Sequence, residues 1–278
     1  MNRRFLILLT SVTVFFACNR KGCTDPLAIN YEEKAKKDDG SCIYYPQTEV
    51  TVHFNHIFNS QTLNSSVFDD LIYSNAAGTV LSVSKLKYHI SDFRFYKTNG
   101  DSLMTDEYHF VDLSQNGTLT YTLNGPVFQD SYAGFGFIIG FNQEDNISGA
   151  YADLNAENWN WPESLGGGYH HLQLEGRYIN SVNDTIGYAY HSGSTIKKTD
   201  GATVTFPENY IWVKLPFSEM TFGSTKNIYL TMNVAEWFEN PNTWDLNLLY
   251  NGLMDDYDAQ IMMRQNGADV FTLDAITD

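Results

Sequence analysis

From Glu49 onward, short runs of alternating apolar and polar residues are separated by Gly, Asn, Asp and Ser, the period-two pattern of strands with one buried face. VTVHFNHIF puts Val52, Phe54, His56 and Phe58 on one face and Thr51, His53, Asn55 and Ile57 on the other. In LSVSKLKYHISDFRFYKTNGDS, Leu86, Tyr88 and Ile90 alternate before Phe93 and Phe95 resume out of step, which predicts a bulge near Ser91 and Asp92. Asn99-Gly100 then signals a hairpin turn. GFGFIIGF (134–141) is continuously apolar, as in a strand buried on both faces. TIGYAYHSGS, ATVTF, YIWVKLPF and NIYLTMNVAEWF are further strand-like runs rich in β-branched and aromatic residues. A helical period is sustained nowhere, although AEWFENPNTW and LLYNGLMDDYDAQIMMRQNG each have room for a short helix, and 268–273 reads as a closing edge strand or a packed tail. The pattern predicts an all-β fold, an antiparallel β-sandwich with long loops spanning 49–278.

The segment WNWPESLGGGYHHLQLEGRY (159–178) interrupts this rhythm. Pro162 cannot donate to a ladder, and Gly166, Gly167 and Gly168 permit backbone angles closed to other residues, so the chain is expected to reverse here. Alternation from Tyr169 would put His170 with Leu172 and Leu174 on the apolar face, and His171 with Gln173 and Glu175 on the polar one. A histidine on an apolar face is ordinarily a core residue bonded to a carbonyl. It becomes a candidate ligand only if other imidazoles converge on it.

Residues 1–17 (MNRRFLILLTSVTVFFA) have a basic start followed by an apolar core too short to remain as a membrane span, so they read as a signal peptide. The segment ends Phe15-Phe16-Ala17-Cys18 and resembles the lipobox of bacterial lipoproteins, which implies cleavage before Cys18 and a lipid anchor on that cysteine. Plain secretion with a free thiol is the alternative. With Cys18 acylated, Cys23 and Cys42 remain as an even pair in an oxidising compartment and are expected to bond to each other. Residues 18–48 form a separate module that resembles the GCTDP…DDGSC cysteine motif of secreted and surface proteins of Gram-negative bacteria. Its Asp38 and Asp39 offer oxygens to calcium, but the loop lacks the spacing and closing glutamate of an EF-hand. A solvated turn is expected there rather than an ion site.

Charge narrows the possible partners. Without residues 1–17 the chain has 15 Lys and Arg against 33 Asp and Glu, a net −18, which repels nucleic acid and anionic headgroups. Familiar catalytic arrangements are missing: there is no G-x-S-x-G elbow, P-loop, H-E-x-x-H motif or zinc-spaced cysteine set. Paired carboxylates such as Asp255 and Asp256 read as a solvated loop. The seven histidines are more informative. His53, His89 and His171 share faces with polar residues and are expected to be exposed; His56, His109 and His170 fall among apolar residues, and His191 lies beside a turn. Several inward or strand-end imidazoles, with no spare thiolate, suit a copper site built from nitrogen ligands.

KLKYHISDFRFYKTNGD, NWNWPESLGGGYHHLQLEG and YAYHSGS together resemble the MbnP-like copper-binding domain, a methanobactin-associated family of exported proteins, over roughly 50–271. The resemblance implies a β-sandwich that holds copper, as Cu(I), through histidines and in some members through kynurenine formed from tryptophan. Matched by position, His56, His170 and His191 are the implied ligands, and Trp159 and Trp161 the aromatic wall or modified partner. Some members have lysine where His170 stands, and His89, in a usually aromatic position, is the reserve ligand. For the tryptophans, packing over the glycine turn is the ordinary alternative. The expected function is therefore non-catalytic: a lipoprotein of the cell envelope, in the outer membrane of a Gram-negative bacterium, that sequesters copper or passes it to a redox or transport partner. The competing expectation is a surface module that binds carbohydrate or protein through exposed members of its 41 Phe, Trp and Tyr residues.

Overall fold

The computed structural model describes residues 20–199, 202–206 and 208–278, with backbone alone for 198–199 and 202–206. The signal segment and Cys18 lie outside the described residues. Two units divide between Pro46 and Gln47. In the first, Cys23 is bonded to Cys42, and Asp38 and Asp39 accept the backbone N–H groups of Gly40 and Ser41 in tight local turns.

The second unit is a β-sandwich. Its principal strands are β1 (Gln47–Phe58), β2 (Lys85–Tyr96), β3 (Ser102–Asp112), β4 (Ser131–Ile139), β5 (Leu172–Ile179), β6 (Thr185–Ser192), β7 (Ile211–Thr221), β8 (Thr225–Asn233) and β9 (Phe271–Thr277). In the smaller sheet β1 lies beside β8, which pairs with β9. The β1–β8 ladder is parallel, against the antiparallel expectation, and its strands are joined by the long crossover that a parallel pair requires. The antiparallel expectation holds elsewhere among the principal ladders. As an edge strand, β9 closes the smaller sheet. Short helices fall in both windows the sequence allowed, a 3-10 turn at Val234–Phe238 and an α-helix at Tyr257–Asn266.

In the larger sheet, β2 sets the geometry of the site. One edge of β2 pairs with β3 across the Asn99-Gly100 turn, and the register slips between Ser91 and Phe93, where Asp92 has a φ of 55°. Its other edge is shared: β5 pairs with Lys85–Tyr88 and β4 with Ile90–Tyr96. His89 stands at the division. There the backbone N–H of Gly140 donates to the His89 carbonyl, and the His89 N–H donates to the His171 carbonyl. The chain thus leaves the sheet after β4 and re-enters at β5 on adjacent positions of β2. In between, 140–171 folds over the outer face of the sheet.

Between the sheets, alternate residues interdigitate. Val52 and Phe54 of β1, Tyr88 and Ile90 of β2, Leu172 and Leu174 of β5, Tyr190 of β6 and Leu230 of β8 belong to one continuous core. Tyr88 meets Phe54 and Phe271 edge-on, bridging the two layers. Side chains of this size each contribute roughly 1.5–3 kcal/mol when fully buried. That core fixes the parity of each strand and so decides which residues face out beneath the 140–171 segment.

Candidate metal site beneath the aromatic loop

Three successive glycines build the turn that covers the site. Gly166, Gly167 and Gly168 have φ of 114°, 68° and 81°, a left-handed run that only glycine adopts without strain. The turn returns the chain to Tyr169, whose N–H donates to Asn146 Oδ1, while the Asn146 amide donates to Ser194 Oγ. Trp161 lies against Gly193, where any Cβ would overlap its indole. Gly193 follows His191-Ser192, so the glycine that seats Trp161 also brings it beside the end of β6.

Strand β5 begins at Leu172, so the alternation does not reach the preceding histidines. Leu172 and Leu174 point into the core, whereas His170 packs on the outer side against Trp161 (ring centres 4.9 Å apart) and His191 (5.3 Å, planes at 80°). In the β5–β6 register His191 is opposite Gln173, two residues from Glu175 on the same outward face. Its Nε2 lies 2.9 Å from Glu175 Oε1, and Lys85 Nζ donates to that same oxygen at 2.7 Å. Bonded first to His191 and then to Lys85, the Glu175 carboxyl is held down to about 2. A carboxylate only accepts, so His191 Nε2 carries a hydrogen, and in the Nε2–H tautomer Nδ1 keeps its lone pair.

At His170 the arrangement is reversed. Nδ1 is 3.0 Å from the Trp159 carbonyl, which also accepts the His170 backbone N–H at 2.9 Å. Nδ1 is therefore the donor, and Nε2 is the free base. Burial pushes the ring down to about 4, against a smaller upward effect of that hydrogen bond, so His170 is neutral at pH 7. Two imidazoles, each oriented by an acceptor on one nitrogen and able to present the other to a metal, match the way metal-binding histidines are held. A metal ~2.0–2.1 Å from one nitrogen of each ring allows ring centres up to roughly 6.2 Å apart, so the observed 5.3 Å fits a shared ion. The donors are aromatic nitrogens beside an indole wall, a set suited to copper or zinc rather than to magnesium or calcium.

His56 is not brought to this place. It points between the sheets from β1, with Nε2 3.0 Å from the Tyr88 hydroxyl and Met232 beside it in register, and burial pushes it down to about 3. The larger sheet separates it from His170 and His191. Trp159 is fully buried; its indole N–H donates to His89 Nδ1 at 3.0 Å, and its ring centre is 5.4 Å from that of His170. His89 and His171, expected to be exposed, are both completely buried because 140–171 covers their face of the sheet. Their ring centres are 6.2 Å apart, and neither His89 Nε2 nor either His171 nitrogen makes a well-formed hydrogen bond. Four of the five tryptophans are buried, leaving Trp212 at 40% exposure.

Sequence reasoning missed Glu175 and Lys85. The available signal was the five-residue connection 180–184, which fixes the β5–β6 register and puts Glu175 diagonal to His191. A cavity of about 750 Å³ opens elsewhere, lined in part by Asp92, Asp106, Tyr108, Asp145 and Tyr151. Oxygens of Asp92, Asp106 and Asp145 lie within 4.8 Å of one another.

The fold and site together define a β-sandwich that carries an oriented imidazole pair under an aromatic loop. A family model for MbnP matches residues 47–256, and the chain belongs to the MbnP family. Among solved structures, MbnP from Methylosinus trichosporium aligns with a TM-score of 0.47 at 13% identity, covering 83% of this chain and 98% of that one. No curated protein matches the sequence.

Proposed function

We propose that this protein is a lipid-anchored component of the cell envelope that binds copper as Cu(I) for sequestration or transfer, without turnover. The ligands are His170 through Nε2 and His191 through Nδ1. The observation that carries the reading is the pairing of these rings at 5.3 Å, each with its other nitrogen engaged by the Trp159 carbonyl or by Glu175. Family membership supports a copper-related role. Trp161 walls the site, and Trp159 holds the His170 ring through its carbonyl. His56 has a core role in this reading and is no ligand. A cation would meet a surface whose net charge of −18 attracts it, and a transport or redox partner would exchange the metal through the outer face of the larger sheet.

The test is a Cu(I) titration of the purified protein against a chromophoric chelator, with His170→Phe and His191→Phe beside wild type. One equivalent bound by wild type and lost in both variants is the expected result. Wild-type protein that takes up no Cu(I), or variants that bind as wild type does, would overturn the reading. Metal analysis and intact mass on protein from its native host report in addition whether Trp159 or Trp161 is oxidised and whether Cys18 is acylated.

A further inference from the structure

In the described part of the N-terminal unit, residues 20–46, large apolar residues lie on the outside. Its buried apolar positions among the described residues are Cys23, Ala28 and Ala35, all small, and the disulfide takes the place of a core. Leu27, Ile29, Tyr31, Ile43, Tyr44 and Tyr45 are between 44% and 58% exposed. Six large apolar residues are thus exposed in 27 described positions, against seven among the described residues of Gln47–Asp278, so the density is far above that of an ordinary surface. The two segments that hold them are adjacent. The Ile29 N–H donates to the Ile43 carbonyl at 2.7 Å, the Asn30 amide to the Ser41 carbonyl at 2.6 Å and the Tyr44 hydroxyl to Asp25 at 2.7 Å, so 25–31 and 41–45 run side by side.

We propose that this face of the module lies in the headgroup layer of the bilayer that holds Cys18; the inference rests on the lipid anchor and adds to it a second, protein-mediated contact. Two features favour lipid over another occupant. The first is reach: Arg20 is two residues from Cys18, a span of at most ~7 Å, so an acylated chain must bring the module against the membrane surface. The second is charge. Residues 20–46 hold five Lys and Arg against five Asp and Glu, a net of zero, whereas 47–278 hold ten against 28, a net −18. Anionic headgroups repel the sandwich and leave the module alone. Tyrosines with leucine and isoleucine are the residue types that settle at the boundary between hydrocarbon and water.

The experiment uses full-length acylated protein reconstituted into vesicles of phosphatidylethanolamine and phosphatidylglycerol with or without brominated acyl chains. Tyr44→Trp and Ile43→Trp each add an indole to the face, the latter with no side-chain hydrogen bond to lose; Leu248→Trp places one at a 77% exposed position of the sandwich. Emission added over wild type should be blue-shifted and lose most of its intensity to bromine in the first two variants and neither shift nor quench in the third. Added emission that is neither shifted nor quenched means that the face meets water, and a blue shift without quenching means that protein covers it; either result overturns the proposal while leaving the anchor and the copper site standing. Intact mass of the same sample separates the premises, since a Cys18 without acyl chains overturns the anchor and this contact together.

Discussion

Replacing Glu175 by glutamine tests whether the carboxylate organises the imidazole pair. Its Oε1 accepts from His191 Nε2 at 2.9 Å and from Lys85 Nζ at 2.7 Å, so a single oxygen fixes both the tautomer of His191 and the direction of its free nitrogen. The amide keeps the shape and can still accept one hydrogen bond, but it loses the charge that selects Nε2 as the donor, and Lys85 loses its counter-ion. Changes to such outer partners typically weaken metal binding by about 10–100-fold. That range corresponds to about 1.4–2.7 kcal/mol of binding free energy. Competition with a chromophoric Cu(I) chelator at pH 7 reads this directly, with stoichiometry unchanged at one. Lys85→Met is the internal comparison: it leaves the His191–Glu175 bond in place and should cost less than Glu175→Gln. Because Glu175 is held at about 2, it is ionised at the pH 7 of the assay, and its own titration does not complicate the measurement. If Glu175→Gln binds as tightly as wild type while His191→Phe does not bind, the carboxylate does not orient the ligand and the reasoning fails at that step.

His56→Phe should leave Cu(I) affinity unchanged and lower stability to urea by about 1–3 kcal/mol, since the buried Tyr88 hydroxyl loses its partner; loss of copper binding in this variant would return His56 to the ligand set. Gly193→Val forces Trp161 from its seat. It should cost about 1–3 kcal/mol by overpacking and change tryptophan emission, and a melting temperature equal to wild type would show that the loop adapts freely. Stability should also fall in acid. Burial lowers His56 and His171 to about 3 and His170 to about 4, so the unfolded chain takes up protons near 6.5 while the native rings stay neutral. The contribution is complete above pH 6.5 and is lost as pH falls toward 3–4, at roughly 1.4 kcal/mol per histidine per pH unit. Urea midpoints measured from pH 7 to 5 should show this slope, and His56→Phe should make it shallower.

The β-sandwich, the bulge at Asp92, the hairpin at Asn99-Gly100, the reversal at Gly166–Gly168 and the pairing of Cys23 with Cys42 were legible along the chain, because strand alternation, turn chemistry and cysteine number are local or countable properties. The sequence also marked His170 and His191 out, through the segments in which they stand. What it did not reveal was which face of the sheet each histidine occupies. His170 and His171 precede the first ladder residue, Leu172, so extending the period of the strand backwards misplaced both. His89 obeyed its strand's alternation and faced outward, yet it is buried, because a segment fifty residues further on folds over it. His56, apolar-flanked and matched to the family, ended on the opposite side of the larger sheet from the other two. Convergence of side chains from β2, β5, β6 and the 140–171 segment depends on how β4 and β5 share one edge of β2. That arrangement is set by long-range pairing, on which the local pattern along the chain is silent.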